Sequence, residues 1–187
     1  MNHGFQRWGI LLGVGLVIVV LDQITKTLVM HTMHLHESIP IIAGFFNLTY
    51  IRNPGAAFGM FATTNSAFRL IFFAGTSIFA LGLLGTIFYR MHPADVCGQL
   101  SVASIFGGAI GNLLDRLQYG EVVDFLDFYV GGYHWPAFNV ADSAISVGVV
   151  SLLILFAMDN KKEQPAPAAP IEEESPNDKE KGTSHDL

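Results

Sequence analysis

The stretch Gly9–Val29, GILLGVGLVIVVLDQITKTLV, decides the fold of this chain. At about 1.5 Å per residue, a helix of this length crosses the roughly 30 Å hydrocarbon core of a bilayer. Arg7 and Trp8 precede it, and both residue types are common at the headgroup layer. Asp22 and Lys26 lie in its far half, and no small-residue cleavage site follows. The stretch is therefore predicted to be a retained membrane helix rather than a cleaved signal peptide.

Three further apolar segments have the length of a membrane span. They cover about residues 67–89, 97–114 and 140–158. The third is rich in Gly, Ser and Ala, residues that let helices approach closely in lipid. The predicted fold class is a membrane all-α protein with four transmembrane helices.

The composition supports a membrane protein. Of the 187 residues, 51% are hydrophobic and 14% are charged, whereas soluble domains are about a quarter charged. The net charge is −6, and most of it lies in residues 159–187. A negative chain of this kind is not expected to bind nucleic acid.

Cysteine and histidine give little support to a metal centre or a disulfide. Cys97 is the only cysteine, so it cannot form an internal disulfide, and a buried packing role is expected. His31, His34 and His36 lie close together, but their spacing in a polar loop is weak evidence for a metal site. No metal and no cofactor are predicted.

Two regions are predicted along the chain. Residues 1–160 form the membrane domain, and residues 161–187 form an acidic, Pro- and Ala-rich tail that is expected to be disordered and without a catalytic role. An even number of spans puts both termini on one side, and the Lys/Arg bias places them in the cytoplasm. A monomer is expected.

Two segments on the outer side are predicted to be extended. The run Phe45–Ile51 (FFNLTYI) is aromatic and β-branched, and Ile39–Ile42 (IPII) could pair with it across a turn at Gly44. The run Val122–Val130 (VVDFLDFYV) has the same character. A small β element is therefore expected at the outer membrane surface.

Polar side chains collect at the outer end of the predicted helices. Ionisable groups are costly in a bilayer, so they are functional candidates by default. Four separate parts of the chain contribute to one level, and a site assembled there is the simplest explanation. The candidates are Asp22, Lys26, Arg52, Asn53, Asn112, Asp115, Arg116, Asp124 and Asp142.

Each candidate also has an ordinary structural explanation. Asp22 and Lys26 are four residues apart and fit a helical ion pair. Asn139 followed by Asp142 fits a helix N-cap with an acid in the first turn. Asp124 alone fits a solvated loop acid. The sequence leaves these alternatives open.

Asp124 and Asp142 together suit one particular chemistry. Two aspartates held close in a low-dielectric site share one proton, so one acts as a base and the other as an acid. The base activates water, and the acid protonates the carbonyl oxygen of an amide. This reaction requires neither a metal nor a nucleophilic side chain.

The chain resembles the bacterial lipoprotein signal peptidase (signal peptidase II) family over about residues 8–158. Five blocks carry the resemblance in order, which makes it specific. They are DQxTK at Asp22–Lys26, RNPGAAFG at Arg52–Gly59, GGAIGNLLDR at Gly107–Arg116, VVDFLDF at Val122–Phe128 and FNVADSAI at Phe138–Ile145.

The resemblance implies a membrane aspartic endopeptidase with Asp124 and Asp142 as its catalytic dyad. It implies four helices, a small extracytoplasmic β-cradle, and an active site at the outer face of the inner membrane. The implied substrates are prolipoproteins that carry a diacylglyceryl-cysteine, met within the membrane lipid. Further residues are implied to line or support the site: Asp22, Asn53, Asn112, Asp115, Arg116, Asn139 and Ala141.

Two other functions are compatible with buried acids and Gly-rich helices. A proton-coupled transporter would place its polar groups near mid-bilayer, with a pathway to both faces. A non-enzymatic lipid-binding or assembly factor would not require both aspartates.

Overall fold

Four long helices and a small sheet make up the protein. A computed structural model describes residues 3–55 and 65–162. Two pairs of strands, one after the first helix and one after the third, lie at one end of the helical bundle. The elements are α1 His3–Thr32, β1 Ser38–Ile42, β2 Phe46–Asn53, α2 Ser66–Arg90, α3 Val96–Tyr119, β3 Val122–Val130, β4 Tyr133–His134 and α4 Val140–Lys162.

All four helices are long and apolar enough to cross a membrane, which confirms the predicted spans. The spanning parts are Gln6–Thr32, Ser66–Arg90, Val96–Tyr119 and Val140–Asp159. The helices extend beyond the apolar runs, chiefly at the start of α1, which begins at His3, and at the end of α3. That helix continues to Gly120, whose left-handed conformation (φ 76°) forms the C-cap.

The third helix is the central one. In α3, 56% of the spanning window is buried, against 17% or less in the other three helices. Its glycines permit this position. A Cβ atom on Gly107 would stand 2.8 Å from the carbonyl oxygen of Gly15 in α1, and one on Gly108 would meet the carbonyl oxygen of Ala141 in α4. The small residues noted in the sequence are therefore the contact surface of α3 with α1 and α4.

The strands form one antiparallel sheet in the order β1-β2-β3-β4. The predicted hairpin and the predicted extended run at Val122–Val130 are both confirmed, and Gly44 (φ 80°) lies in the hairpin turn. Val29 of α1 and Met33, which follows the end of α1, pack against Tyr50 and other residues of the sheet. This apolar cluster fixes the sheet on one end of the bundle.

The opposite end of the bundle is tied together by Arg7. Its guanidinium donates hydrogen bonds to the carbonyl oxygens of Phe88 and Tyr89, the last turn of α2. The ring of Trp8 also lies against Phe88, with centroids 5.4 Å apart. A cation at a helix C-terminus satisfies carbonyls that have no partner within the helix. The predicted disordered tail lies, from residue 163 onward, outside the described residues.

Candidate active site

Asp142 is held at the start of α4 by Asn139. The backbone N–H of Asp142 donates to Oδ1 of Asn139 at 2.9 Å, which is an N-cap bond. Ser143 adds to the same cap, because its hydroxyl donates to the carbonyl oxygen of Asn139 at 2.9 Å. The capping interpretation of Asn139 and Asp142 is therefore confirmed. It leaves the Asp142 carboxylate available for other contacts.

Asp124 lies in β3 and is buried, with 2% of its surface exposed. It lies opposite Ile51 of β2, within the run predicted to be extended, and its burial shows that the alternative of a solvated loop acid is wrong. Two amides hold its carboxylate: Asn53 donates to Oδ2 at 2.9 Å, and Asn139 donates to Oδ1 at 2.8 Å. Asn53 is itself fixed, because its Oδ1 accepts the N–H of Gly55 at 2.9 Å.

The environment of Asp124 raises its pKa from 3.8 to about 7. The main cause is burial, which disfavours the charged form, and the nearby charge of Asp142 acts in the same direction. The hydrogen bonds from Asn53 and Asn139 and the charge of Lys26 oppose the shift. Near neutral pH, Asp124 therefore exists in both protonation states.

Two amides connect Asp124 to Asp142. Asn139 donates to Asp124 and also to Oδ1 of Asn112, at 3.2 Å. Asn112 in turn donates to Oδ1 of Asp142 at 2.7 Å. The two carboxylates are thus the ends of one hydrogen-bonded chain that crosses β3, α3 and α4. We call these four residues the amide relay.

A buried ion cluster lies directly behind the amide relay. Lys26 pairs with Asp22 at 2.7 Å and with Asp115 at 2.9 Å, which confirms the helical ion pair and adds a second acid. Asp22 accepts the backbone N–H of Ala141 at 2.9 Å. Asp115 accepts the backbone N–H of Val123 at 3.1 Å. Each acid therefore holds the residue that precedes one member of the aspartate pair.

Gln23 is a supporting residue that the sequence interpretation missed. Its side-chain amide donates to Asp115 at 2.8 Å and to the carbonyl oxygen of Gly111 at 3.3 Å. The available signal was its polarity within an apolar span, next to Asp22. An amide carries no charge, so within a membrane span it is a weaker indication of function than an ionisable side chain.

Arg116 lies beside the relay. Its guanidinium donates to the carbonyl oxygen of Asn112 at 3.2 Å and lies over the ring of Phe73. It interacts electrostatically with Asp142, Asp115 and Asp124 in turn. Because Asp115 is paired with Lys26, an electrostatic effect on the aspartate pair is the better interpretation of Arg116.

Two other polar residues from the same end of the molecule are engaged elsewhere. Asp127 contacts His134 at 2.8 Å and accepts from Asn47 at 2.9 Å, on the sheet. Arg52 lies over the rings of Tyr50 and Tyr119, with its guanidinium 5.6 Å and 4.6 Å from their centroids. Among the described residues, the hydrogen bonds and ring contacts of both are made with other neighbours and not with the aspartate pair, so both are structural neighbours.

Within residues 3–55 and 65–162, no group of three or more His, Cys, Asp or Glu is arranged to hold a metal ion. Residues 56–59 of the RNPGAAFG block lie outside the described part.

Known proteins share both the sequence and the fold. The sequence model of the signal peptidase (SPase) II family matches residues 14–158. The lipoprotein signal peptidase of Desulforapulum autotrophicum is 53% identical over 73% of this chain and 85% of its own length. That of Syntrophus aciditrophicus is 48% identical, covering 78% and 91%. That of Syntrophotalea carbinolica is 47% identical, covering 84% and 97%.

Two solved structures of bacterial membrane enzymes are similar to this chain in fold. A bacterial membrane enzyme determined by the in meso method at 2.3 Å resolution superposes with a TM-score of 0.75 at 32% identity, covering 86% of this chain and 95% of its own. A second such enzyme, at 1.9 Å, gives a TM-score of 0.73 at 34% identity, covering 81% and 94%. The chain is a multi-pass bacterial membrane protein and belongs to the signal peptidase II family.

Proposed function

We propose that the chain is an aspartic endopeptidase that removes signal peptides from prolipoproteins carrying a diacylglyceryl-cysteine. Asp124 and Asp142 are its catalytic pair. Asn53, Asn112 and Asn139 orient the two carboxylates, and further support comes from Asp22, Asp115, Arg116 and Ala141. No cofactor takes part.

The observation that carries this proposal is the amide relay. Asp124 of β3 and Asp142 of α4 are the two ends of one chain of amide hydrogen bonds through Asn139 and Asn112. A helix cap alone requires only Asn139 and Asp142. The additional bonds to Asp124 and Asn112 bring a second buried carboxylate to the same place, which aspartic hydrolysis requires.

The reaction follows from one proton shared by the pair. The ionised carboxylate removes a proton from water, and the water oxygen attacks the carbonyl carbon of the scissile peptide. The protonated carboxyl gives its proton to the carbonyl oxygen, which produces a tetrahedral diol. Collapse of the diol breaks the C–N bond, and the leaving nitrogen takes up a proton. The pKa of Asp124, about 7, supports a protonated carboxyl near neutral pH.

The depth of the proposed site in the membrane suits a lipid-bearing substrate. The aspartate pair lies where α4 begins and where α3 has passed into β3, at the end of the bundle that carries the sheet. A peptide anchored by diacylglycerol presents its scissile bond near the interface and need not leave the bilayer. The relatives named above are lipoprotein signal peptidases. We place this end at the outer face and both termini in the cytoplasm, and we propose a monomer.

Cleavage of a purified diacylglyceryl prolipoprotein by the Asp124→Asn and Asp142→Asn variants tests the proposal. Each variant should lose roughly 10³-fold or more in rate, because an amide cannot exchange the required proton. Asp127→Asn is the matched control: it changes an acid of the same strand that contacts His134 instead, and it should retain most of its activity. The same preprotein without the lipid should be cut poorly by the wild type.

Two results would contradict this function. One is substantial cleavage by either dyad variant, with folding verified by gel filtration. The other is equal turnover of lipidated and unlipidated preprotein, which would leave a peptidase without the proposed substrate class.

A further inference from the structure

Lys26 is a fully buried cation that the hydrolysis itself does not use. Its side chain is 1% exposed. Its ammonium has three acceptors: Asp22 at 2.7 Å, Asp115 at 2.9 Å and Oδ1 of Asn112 at 3.0 Å. The first two contacts neutralise buried acids. The third reaches the amide relay directly.

The contact with Asn112 fixes the direction of that amide. An ammonium group can only donate hydrogen bonds, so Asn112 must turn its carbonyl oxygen toward Lys26. Asn139 donates to the same oxygen at 3.2 Å. The amide nitrogen of Asn112 is then left to face Asp142, and it donates to that carboxylate at 2.7 Å. The reverse orientation would set N–H groups against two donors and an oxygen against a carboxylate.

We propose that Lys26 is a positioning residue that sets the donor direction of the amide relay and so presents a hydrogen-bond donor to Asp142. This inference rests on the proposed function, since it assigns Lys26 a part in the same hydrolysis. Lys26 acts through Asn112 and does not touch the substrate.

Through the ion cluster, Lys26 is also connected to the backbone next to Asp142 and next to Asp124. Asp22 binds the N–H of Ala141, the residue before Asp142. Asp115 binds the N–H of Val123, the residue before Asp124. Both acids depend on Lys26 for charge compensation in a buried setting. Lys26 therefore connects α1 to the two chain segments that carry the reacting groups.

The charge of Lys26 also acts on the aspartate pair through space. Lys26 is paired with Asp22 on its own helix and with Asp115 on α3, and the charges that act on Asp124 are those of Lys26 on α1, Arg116 on α3 and Asp142 on α4. The positive charge of Lys26 lowers the pKa of Asp124, against the larger effect of burial. Removing that charge moves the pKa of Asp124 upward, and the limb of the pH–rate profile that reports Asp124 moves with it.

The test compares Lys26→Met with Lys26→Arg over a pH series from about 5 to about 9. For Lys26→Met, we expect kcat to fall roughly tenfold or more with a small change in KM, and the Asp124 limb to shift by about one unit to higher pH. Lys26→Arg keeps both the charge and the donors, so its limb should return toward the wild-type position even if its kcat stays reduced.

Arg52→Met is the control for charge removal at the same end of the molecule. Arg52 lies over the rings of Tyr50 and Tyr119. The Asp124 limb of the Arg52→Met profile should therefore stay at its wild-type pH. If Lys26→Met does not fold, Lys26→Met/Asp115→Asn keeps the net charge of the ion cluster and is compared with Asp115→Asn. The Asp124 limb of the double variant should lie at a higher pH than that of Asp115→Asn, by the same shift.

The outcomes separate this inference from the proposed function. A Lys26→Met profile that is reduced in height but has unmoved limbs would show a merely structural lysine and overturn the inference, and so would a shift that Lys26→Arg does not reverse. In either case, inactive Asp124→Asn and Asp142→Asn variants would leave the proposed function intact. If Asp124→Asn or Asp142→Asn were active, that result would contradict both the proposed function and the inference about Lys26.

Discussion

Asn139 shows how one side chain serves both the fold and the site. Its Oδ1 is occupied by the N-cap bond from Asp142, so only its amide nitrogen remains for other contacts. That nitrogen donates to Asp124 and Asn112. The sequence predicts the cap from Asn139 and Asp142 alone. It cannot predict the second function, because that depends on a strand and a helix that are distant along the chain.

Asp124 should make the stability of the protein depend on pH. Its folded pKa, about 7, is above its ordinary value of 3.8. Between these values the folded state binds more protons than the unfolded state, so stability is highest at the acid side and falls as pH rises toward 7. The loss contributed by this group is at most about 4 kcal/mol. Thermal unfolding in detergent, measured at several pH values for wild type and Asp124→Asn, checks this.

Only the difference between the two proteins isolates Asp124, since other groups titrate in both. The Tm of the wild type minus that of Asp124→Asn should decrease as pH rises from about 4 to about 7. A difference that does not change with pH would show that burial does not perturb this carboxyl.

At the scale of elements, the contact between α3 and α4 depends on Gly108. A Cβ atom there would meet the carbonyl oxygen of Ala141 and would lie 2.8 Å from Cγ1 of Ile145. Backbone atoms cannot move aside as a flexible side chain can, so α4 must shift. Because α4 carries Asp142 in its first turn, that shift also misplaces a residue of the proposed catalytic pair.

Gly108→Ala should therefore lower both stability and activity. We expect a loss of about 1–3 kcal/mol from overpacking and a fall in kcat on the order of tenfold to a hundredfold. Gly85→Ala is the matched control, because a Cβ built at Gly85 of α2 meets no atom of the other described residues within 4 Å beyond its own turn of the helix. Tm and cleavage rate measured side by side provide the test, and equal behaviour of the two variants would refute the close α3–α4 contact.

The sequence predicts the elements better than their ends and partners. Hydropathy identifies the four spans because the bilayer sets their length. It misses the last turn of α3, which continues through Asp115 and Arg116 to a glycine cap at Gly120. The extended runs are visible in β-branched and aromatic residues. The sequence does not show that Ile51 pairs with Asp124, because the register between strands is fixed by tertiary contacts.

At the scale of the whole molecule, the sequence predicts a cluster of polar groups but not its connectivity. Depth along each span can be counted from its residues, so Asp22 and Asp115 can be assigned to one level. That Lys26 joins them, and that it also reaches Asn112, depends on how α1 packs against α3. Helix rotation and spacing are determined by packing of small residues, which hydropathy does not report.

The acidic tail should be dispensable for turnover. The family match ends at residue 158, and the aspartate pair lies at the other end of α4, where Asp142 is in the first turn. A chain truncated after Lys162 should cleave the lipidated preprotein in detergent at nearly the full rate. A large drop in kcat with unchanged Tm would assign the tail a direct part in catalysis.

Membrane orientation can be tested with single cysteines, because Cys97 is the only native one. The prediction that Cys97 is buried is wrong, since its side chain is exposed, and it is therefore replaced. In a Cys97→Ser background, Tyr133→Cys places a thiol on the β3–β4 hairpin, where the side chain is 87% exposed. His92→Cys places one in the connection between α2 and α3, at the opposite end of the bundle. If the sheet and the aspartate pair face outward, a membrane-impermeant maleimide should label Tyr133→Cys in intact spheroplasts. The same reagent should label His92→Cys only after permeabilisation. The opposite pattern would place the site at the cytoplasmic face, where a preprotein exported through the membrane would not present its cleavage bond.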